Sequence, residues 1–247
     1  MTSAGKKQHQ KRISAPSIWP IHRKGSIWVP KIKPGPHSKN NGMPLLVLLR
    51  DVLKIGQNKT EVTRILTKRQ VLIDGRVVTN NRFPVGHMDV VQLPKSEKSY
   101  RIQLHGSNKL VPFEIPESSA SEKVCKVTGK RNIRGGKTQI SLHDGRNILL
   151  DNDDKLVSQI KGMCSVKISV PSQEILDVYP FEEDARALVT EGRHRGRIGK
   201  IVEITKRYGP KASEVVFLDE NAKGDEADFR TALDYVFIIG PDLKLEL

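Results

Sequence analysis

The sequence predicts an α+β chain of several small modules: a basic extended N-terminal arm, a two-helix and β-hairpin module, a central β domain and a C-terminal β module. Three observations predict it. The first 42 residues are rich in proline and cations and contain no Asp or Glu. Apolar residues recur at helical spacing only between Pro44 and Leu66. Beyond Val71 the apolar positions alternate, with glycine-marked turns between short runs.

The arm is read over residues 1–42. Pro16, Pro20, Pro30, Pro34 and Pro36 forbid a continuous helix there. Its cations are Lys6, Lys7, Lys11, Arg12, Arg23, Lys24, Lys31, Lys33 and Lys39. Both tryptophans, Trp19 and Trp28, stand among them, with His37 near the end. Rings beside cations suit an arm threading RNA, the rings stacking on bases and the cations meeting phosphates. The same rings could instead pin the arm onto the protein's own core.

The two-helix module is read over 43–98. Pro44 suits a first helical turn, and Leu45, Leu46, Leu48, Leu49, Val52 and Leu53 carry the apolar pattern up to Gly56. Asn58 then stands as an N-cap with Glu61 three residues on, close to a capping box. Val62, Ile65 and Leu66 share one face of this second helix. Arg64 and Lys68 share another, four residues apart, with Arg69 adjacent. Such a stripe is either a solvated face or a phosphate contact. Val71–Ile73, Asp74-Gly75 and Arg76–Val78 read as a hairpin on a type I′ turn, followed by a strand at 89–93.

The central β domain is read over 99–174, with strands at 100–104, 109–113, 122–127, 138–142, 147–150 and 165–168. A loop from Lys130 to Lys137 offers Arg131 and Arg134 beside Gly135 and Gly136, a composition that suits backbone phosphates or a solvated tip. The last module is read over 175–247. Gly192, Gly196 and Gly199 punctuate a run holding Arg193, Arg195, Arg197 and Lys200, so a tight turn with close backbone approach is expected there. After residue 214 acids dominate: Glu214, Asp219, Glu220, Asp225, Glu226, Asp228, Asp234, Asp242 and Glu246 face only Lys223, Arg230 and Lys244.

Charge decides the class of partner. The chain carries 42 Lys+Arg against 28 Asp+Glu, a net +14, and a pI near 9.8. An excess of that size points to a polyanion, because each phosphate neutralised releases condensed counterions. Cys125 and Cys164 form no CxxC pair, so neither a disulfide framework nor a zinc site is expected, and both read as small buried hydrophobes. The seven histidines include no HxxxH or HExxH pair, so no metal is expected. No apolar run is long enough to span a membrane, and no secretory leader is expected. Gly135-Gly136-Lys137-Thr138 imitates the end of a nucleotide-binding loop, but Arg131 stands where its first glycine belongs. Asp151–Asp154 lacks the glycine and distal Glu of a calcium loop. No catalytic residue, cofactor or small-molecule substrate is therefore expected.

The stretch from Arg64 to Val77 resembles the RNA-binding module named after ribosomal small-subunit protein four, an alpha-L type fold of two helices on a small sheet. The stretch from Gly192 to Ile201 resembles the KOW motif of small SH3-like β-barrels. Their order, with Gly35-Pro36-His37 and Phe237-Ile238-Ile239-Gly240, is similar to the archaeal–eukaryotic "e" family of small-subunit protein four, along essentially the whole chain. The short run after Gly240 favours an archaeal member. The resemblance implies small-subunit rRNA and neighbouring ribosomal proteins as partners, a cytoplasmic place in the ribosome, and no catalysis. On it the rRNA-binding set is the arm cations with Trp19 and His37, then Arg64, Lys68, Arg69, Arg76, Arg131, Arg134, Arg193, Arg195, Arg197 and Lys200. The alternatives are a KOW-containing transcription elongation factor or an RNA-processing accessory protein. An RNA-modifying enzyme would need a catalytic domain for which the remaining chain has too little room.

Overall fold

The computed structural model describes residues 9–106, 108–205, 207, 213–219 and 228–240. The chain forms two compact units, Met1–Gln103 with Lys109–Ser121, and Leu104–Asn108 with Glu122–Leu247.

In the first unit the arm is extended, as its prolines dictate, but it does not stand free. A two-stranded ribbon of β1 (Gln10–Lys11) and β2 (Trp28–Val29) flanks a 3-10 turn at Arg12–Ser14. Ile18 and Trp19 are buried, and the Ile18 carbonyl accepts the Leu110 amide at 3.0 Å. Further on, the Lys33 amide donates to the Arg82 carbonyl at 3.0 Å. β3 (Gly42–Pro44) then pairs with β6 (Pro84–Gly86) and leads into the first helix.

That helix opens as α1 (Leu45–Val47) and continues as a π turn over Leu48–Val52, where Leu53 N–H reaches back five residues to Leu48. Leu45 to Leu49 are all buried, as a helix apolar on every side must be. α2 (Lys59–Thr67) follows. Asn58 caps it by accepting the Glu61 amide at 3.0 Å, and Glu61 reaches back to the Gln57 amide at 2.7 Å, one residue beyond the simple box. Val62 and Leu66 are buried and Ile65 partly so, which fixes the opposite face toward solvent.

Asp74 (φ +48) and Gly75 (φ +71) turn β4 (Leu72–Ile73) into β5 (Arg76–Val77), as a type I′ hairpin requires. The hairpin joins β7 (Val90–Leu93), β8 (Lys98–His105) and β9 (Lys109–Ile115) in the order β5-β4-β7-β8-β9. The boundary expected between residues 98 and 99 therefore falls inside a sheet. Strands at 98–115 have the alternating texture of the central region, but β8 pairs with β7 from Val90↔Arg101 to Leu93↔Lys98. A short helix, α3 (Glu117–Ala120), closes the unit.

The second unit holds two five-stranded sheets. The first has the order β12-β11-β10-β13-β14, from β10 (Glu122–Ile133), β11 (Lys137–Leu142), β12 (Asn147–Asp151), β13 (Ser165–Ser169) and β14 (Ile175–Tyr179), with α4 (Lys155–Gln159) between β12 and β13. β10 pairs with β13 in its first half and with β11 in its second, and the register shifts between Val127 and Gly129. Its core contains Cys125 and Cys164 among Val127, Ile140, Leu142, Val166 and Ile168, so both thiols are the buried hydrophobes expected of them. Burial pushes the Cys164 thiol up, against weaker lowering by nearby backbone hydrogen bonds and Lys130. β14, which the sequence reading missed, places the expected 174/175 boundary inside this sheet's connections.

The second sheet has the order β18-β17-β16-β15-β19, from β15 (Arg186–Val189), β16 (Ile198–Thr205), β17 (Glu214–Asp219), β18 (Asp228–Ala232) and β19 (Val236–Ile238). Gly192 (φ +84) and Gly196 (φ +87) turn β15 into β16. Gly199 serves differently: a Cβ there would lie 2.4 Å from the Leu218 carbonyl of the neighbouring strand. Both roles expected of these glycines are present. Among the described residues no helix is long and apolar enough to cross a membrane.

Candidate nucleic-acid interface

The solvent face of α2 is built by its period. Lys59, Thr60, Thr63, Arg64, Thr67 and Lys68 line one shallow groove of ≈ 450 Å³. No carboxylate is among these lining residues. Two of the three threonine hydroxyls are tied down: Thr63 Oγ1 donates to the Lys59 carbonyl at 2.7 Å and Thr67 Oγ1 to the Thr63 carbonyl at 2.8 Å. The face is thus a smooth polar floor with cations along it. Lys59 was absent from the sequence-derived set, although its position one turn before Thr63 and Arg64 carried the signal.

Arg69 leaves the helix in the left-handed region at φ +56, where its amide donates to the Leu66 carbonyl at 2.9 Å. Glycine is the usual residue at such a helix exit, and a side chain there costs about 1 kcal/mol. Arg69 and Arg76 are both exposed in the same unit.

The turn between β15 and β16 presents the second cationic group. Arg193, Arg197 and Lys200 are exposed and Arg195 is half-buried. Burial lowers the Arg195 guanidinium from its ordinary value, with Glu191 pulling the other way. Arg197 lies over the Phe229 ring at 5.7 Å and pairs with Asp219 at 3.7 Å. His194 stacks on the same ring at 5.0 Å, and Phe217 stacks on it at 5.2 Å. The imidazole of His194 is pushed down by burial, then by Arg197 and Arg193, against Asp219. So Arg197 is partly satisfied within the protein, while Arg193 and Lys200 extend to solvent.

Other expectations need correction. Trp19 is 1% exposed and its Nε1 donates to the Gly42 carbonyl at 2.7 Å, so its ring pins the arm to the core and offers no face to a base. His37 is likewise buried, with Nε2 2.9 Å from Asp89, whose other role is to accept the Gly86 amide at 2.8 Å. A Cβ on Gly86 would sit 2.4 Å from the His37 ring, so residue 86 has no room for one. Arg131 stands on β10 and not in a loop, and it donates to Gln139 at 3.2 Å. Only Arg134 remains in the shortened turn, exposed. Thr138, the end of the apparent nucleotide loop, is buried with its hydroxyl on Asn132 and Asn152, in a β-hairpin with no helix behind it.

Within the arm, Lys11, Arg23, Lys24, Lys33 and Lys39 are exposed and Lys31 is half-buried. Arg12 donates to the His22 carbonyl and to Ser26 Oγ, bracing its own turn. Lys6 and Lys7 lie outside the described residues.

Cys125, His143 and Asp144 bring three donor atoms within 4.8 Å of one another. The set does not suit a dication. Lys123 Nζ and Arg146 Nε each lie 3.1 Å from Asp144 Oδ2, so the carboxylate already serves two cations.

Fold and charge together define a class: a basic protein of small β sheets whose cations stand on a helix face, a glycine turn and an arm, the arrangement of a polyanion-binding scaffold. The description "Ribosomal family S4e" matches residues 96–175, and an RS4NT domain matches residues 4–40. Small ribosomal subunit protein eS4 of Methanothermobacter thermautotrophicus is 42% identical over 244 residues, 98% of this chain and 96% of its own. The same-named protein of Archaeoglobus fulgidus is 42% identical over 234 residues, 94% of this chain and 93% of its own. The crystal structure of 30S ribosomal protein S4e from Thermoplasma acidophilum superposes with a TM-score of 0.67 at 31% identity, covering 82% of this chain and 96% of that one. The chain belongs to the ribosomal S4e family, and its relatives are of the archaeal type that the sequence suggested.

Proposed function

We propose that the protein is a structural constituent of the small ribosomal subunit that holds ribosomal RNA in place through phosphate contacts, without catalysis or cofactor. The observation that carries this is the cationic groove along α2, whose lining holds no carboxylate, on a chain with a net charge of +14 in the S4e family. In this reading α1, α2 and the Asp74-Gly75 hairpin act as an alpha-L type module. The sheet from β15 to β19 acts as a KOW SH3-like barrel. Lys59, Arg64, Lys68, Arg69 and Arg76 meet phosphates from the first, Arg193, Arg195 and Lys200 from the second, and Lys11, Arg23, Lys24, Lys33 and Lys39 from the arm. Such contacts fix position and carry no base information. The partners are small-subunit rRNA and adjacent ribosomal proteins, in the cytoplasm.

Sedimentation of cell extract through sucrose at low and high salt tests the reading. The protein is expected with the small subunit at low salt and free at high salt. With about eight phosphates engaged, the log–log salt slope for the isolated rRNA site is expected near −6, at roughly −0.7 per contact. A protein that stays at the top of the gradient even at low salt overturns the ribosomal reading in favour of a free KOW factor.

Arg69 provides a second, smaller test. Arg69→Gly relieves the left-handed backbone and is expected to raise stability by about 1 kcal/mol in urea melts. The same change removes one cation, so the salt slope is expected to become shallower by nearly one contact. A residue kept only for the helix exit would show the first effect without the second.

A further inference from the structure

The arm carries one tryptophan that its fold does not use. In the β1–β2 ribbon, Gln10 faces Val29 and Lys11 faces Trp28. Successive residues of a strand point to opposite faces. Gln10 and Val29 accordingly go inward, 6% and 5% exposed, and Trp28 stays 54% exposed beside exposed Lys11. His9 flanks the indole, with ring centroids 5.5 Å apart at 56°.

Trp28 also lines a groove of ≈ 530 Å³, within the size range of small-ligand sites. Lys59 and Arg82 line the same groove, with Lys31 and Asn81. Among the described residues neither Lys59 nor Arg82 spends its charged group on a hydrogen bond or an ion pair. Asn81 is held by its amide near Thr63 Oγ1 at 3.4 Å. The lining contains a flat apolar ring, the unspent cations of Lys59 and Arg82, and Arg50, which pairs with Asp51 at 2.8 Å; no carboxylate is among the lining residues. A base with its phosphate presents the matching pair of surfaces, a π face and an anion. An acidic peptide would satisfy the cations but leave the indole face without a planar partner.

We propose that this groove takes one unstacked RNA nucleotide, its base against Trp28 and its phosphate between Lys59 and Arg82. The proposal rests on the rRNA-binding reading above and adds to it a single-stranded element of the RNA. A base in a duplex is stacked on both sides, so only a looped-out or single-stranded residue fits.

Tryptophan emission tests it, because the chain has 2 Trp and Trp19 is 1% exposed. Titration of the full chain with a short oligoadenylate is expected to quench the emission saturably and to shield it from acrylamide. Polyphosphate of equal charge is expected to bind without quenching. Trp28→Leu is expected to lose the quenching and about tenfold in oligoadenylate affinity, with duplex RNA affinity unchanged. The unchanged emission of Trp19 in that variant reports an intact fold. Oligoadenylate affinity unaltered by Trp28→Leu, or poly-glutamate quenching as well as oligoadenylate, overturns the nucleotide site. If Trp28→Leu changes nothing while the protein still co-sediments with the small subunit, the site alone fails. If the chain binds no RNA at all, the broader reading fails with it.

Discussion

Asp144→Ala is expected to destabilise the second unit by about 3–5 kcal/mol, the cost of removing one partner from a buried ion pair. Lys123 has a side chain 0% exposed with Nζ 3.1 Å from Asp144, itself 1% exposed, and Arg146 approaches the same oxygen at 3.1 Å. Cys125 Sγ lies 3.7 Å away on the same carboxylate. Taking away the acid leaves a buried ammonium without this counter-charge beneath the β10 sheet. Glu114→Ala breaks a pair of the same chemistry, Lys98 with Glu114 at 3.3 Å, whose side chains are 49% and 57% exposed. That variant is expected to move stability by no more than about 1 kcal/mol. Urea midpoints of the two variants side by side decide the matter, and equal shifts would refute the burial argument.

The same residue sets a pH dependence. Burial alone would raise the Asp144 carboxyl, but Lys123, His143 and Arg146 outweigh it and hold the group below the ordinary value of 3.8. A carboxyl depressed in the folded state stabilises it fully at pH above the unfolded value. That stability is lost as pH falls below about 4 through the folded value. Asp144→Asn is expected to show a flatter stability profile than wild type in that acid range, from a lower plateau above it. An acid profile parallel to wild type would assign the titration to another group.

What the sequence made legible was local. Asn58 and Glu61 announce the start of α2, the spacing of Val62 and Leu66 announces which face is buried, and Asp74-Gly75 announces its hairpin, because each signal acts within a few residues. The separation of Arg64 and Lys68 from that buried face follows from the same period. The two tryptophans show the limit. They share a composition and a segment, yet one is buried by a hydrogen bond to Gly42 and the other is exposed by strand register. His37 is buried because Asp89, 52 residues away, accepts its ring nitrogen. Lys123 is buried beside Asp144, 21 positions along the chain, a pairing that no local spacing announces. The sheet boundary failed for a similar reason, since 98–115 alternates like the strands after it and only pairing with Val90–Leu93 assigns it. Pairings between distant residues have no period for a sequence to display.

The charge reversal Arg64→Glu with Lys68→Glu is expected to weaken rRNA binding by more than tenfold and to make the salt slope shallower by about 1.5 or more, two contacts at roughly 0.7–0.9 per phosphate. Both side chains are exposed and line the α2 groove, and the loss is expected to be uniform across RNA sequences because phosphate contacts do not read bases. One confounding effect has a known sign. Both residues lie near the C-terminal end of α2, where an acid opposes the helix dipole by about 0.3–1 kcal/mol each. Arg64→Gln with Lys68→Gln removes the charges without adding that penalty. The neutral pair loses only the cations' own favourable dipole interaction, about 0.3–1 kcal/mol each, so its urea midpoint is expected to fall less than that of the Glu pair while it loses nearly the same salt slope. A neutral variant with wild-type affinity and slope would strip α2 of its role. It would leave the arm and the Arg193–Lys200 turn as the surfaces that hold the RNA.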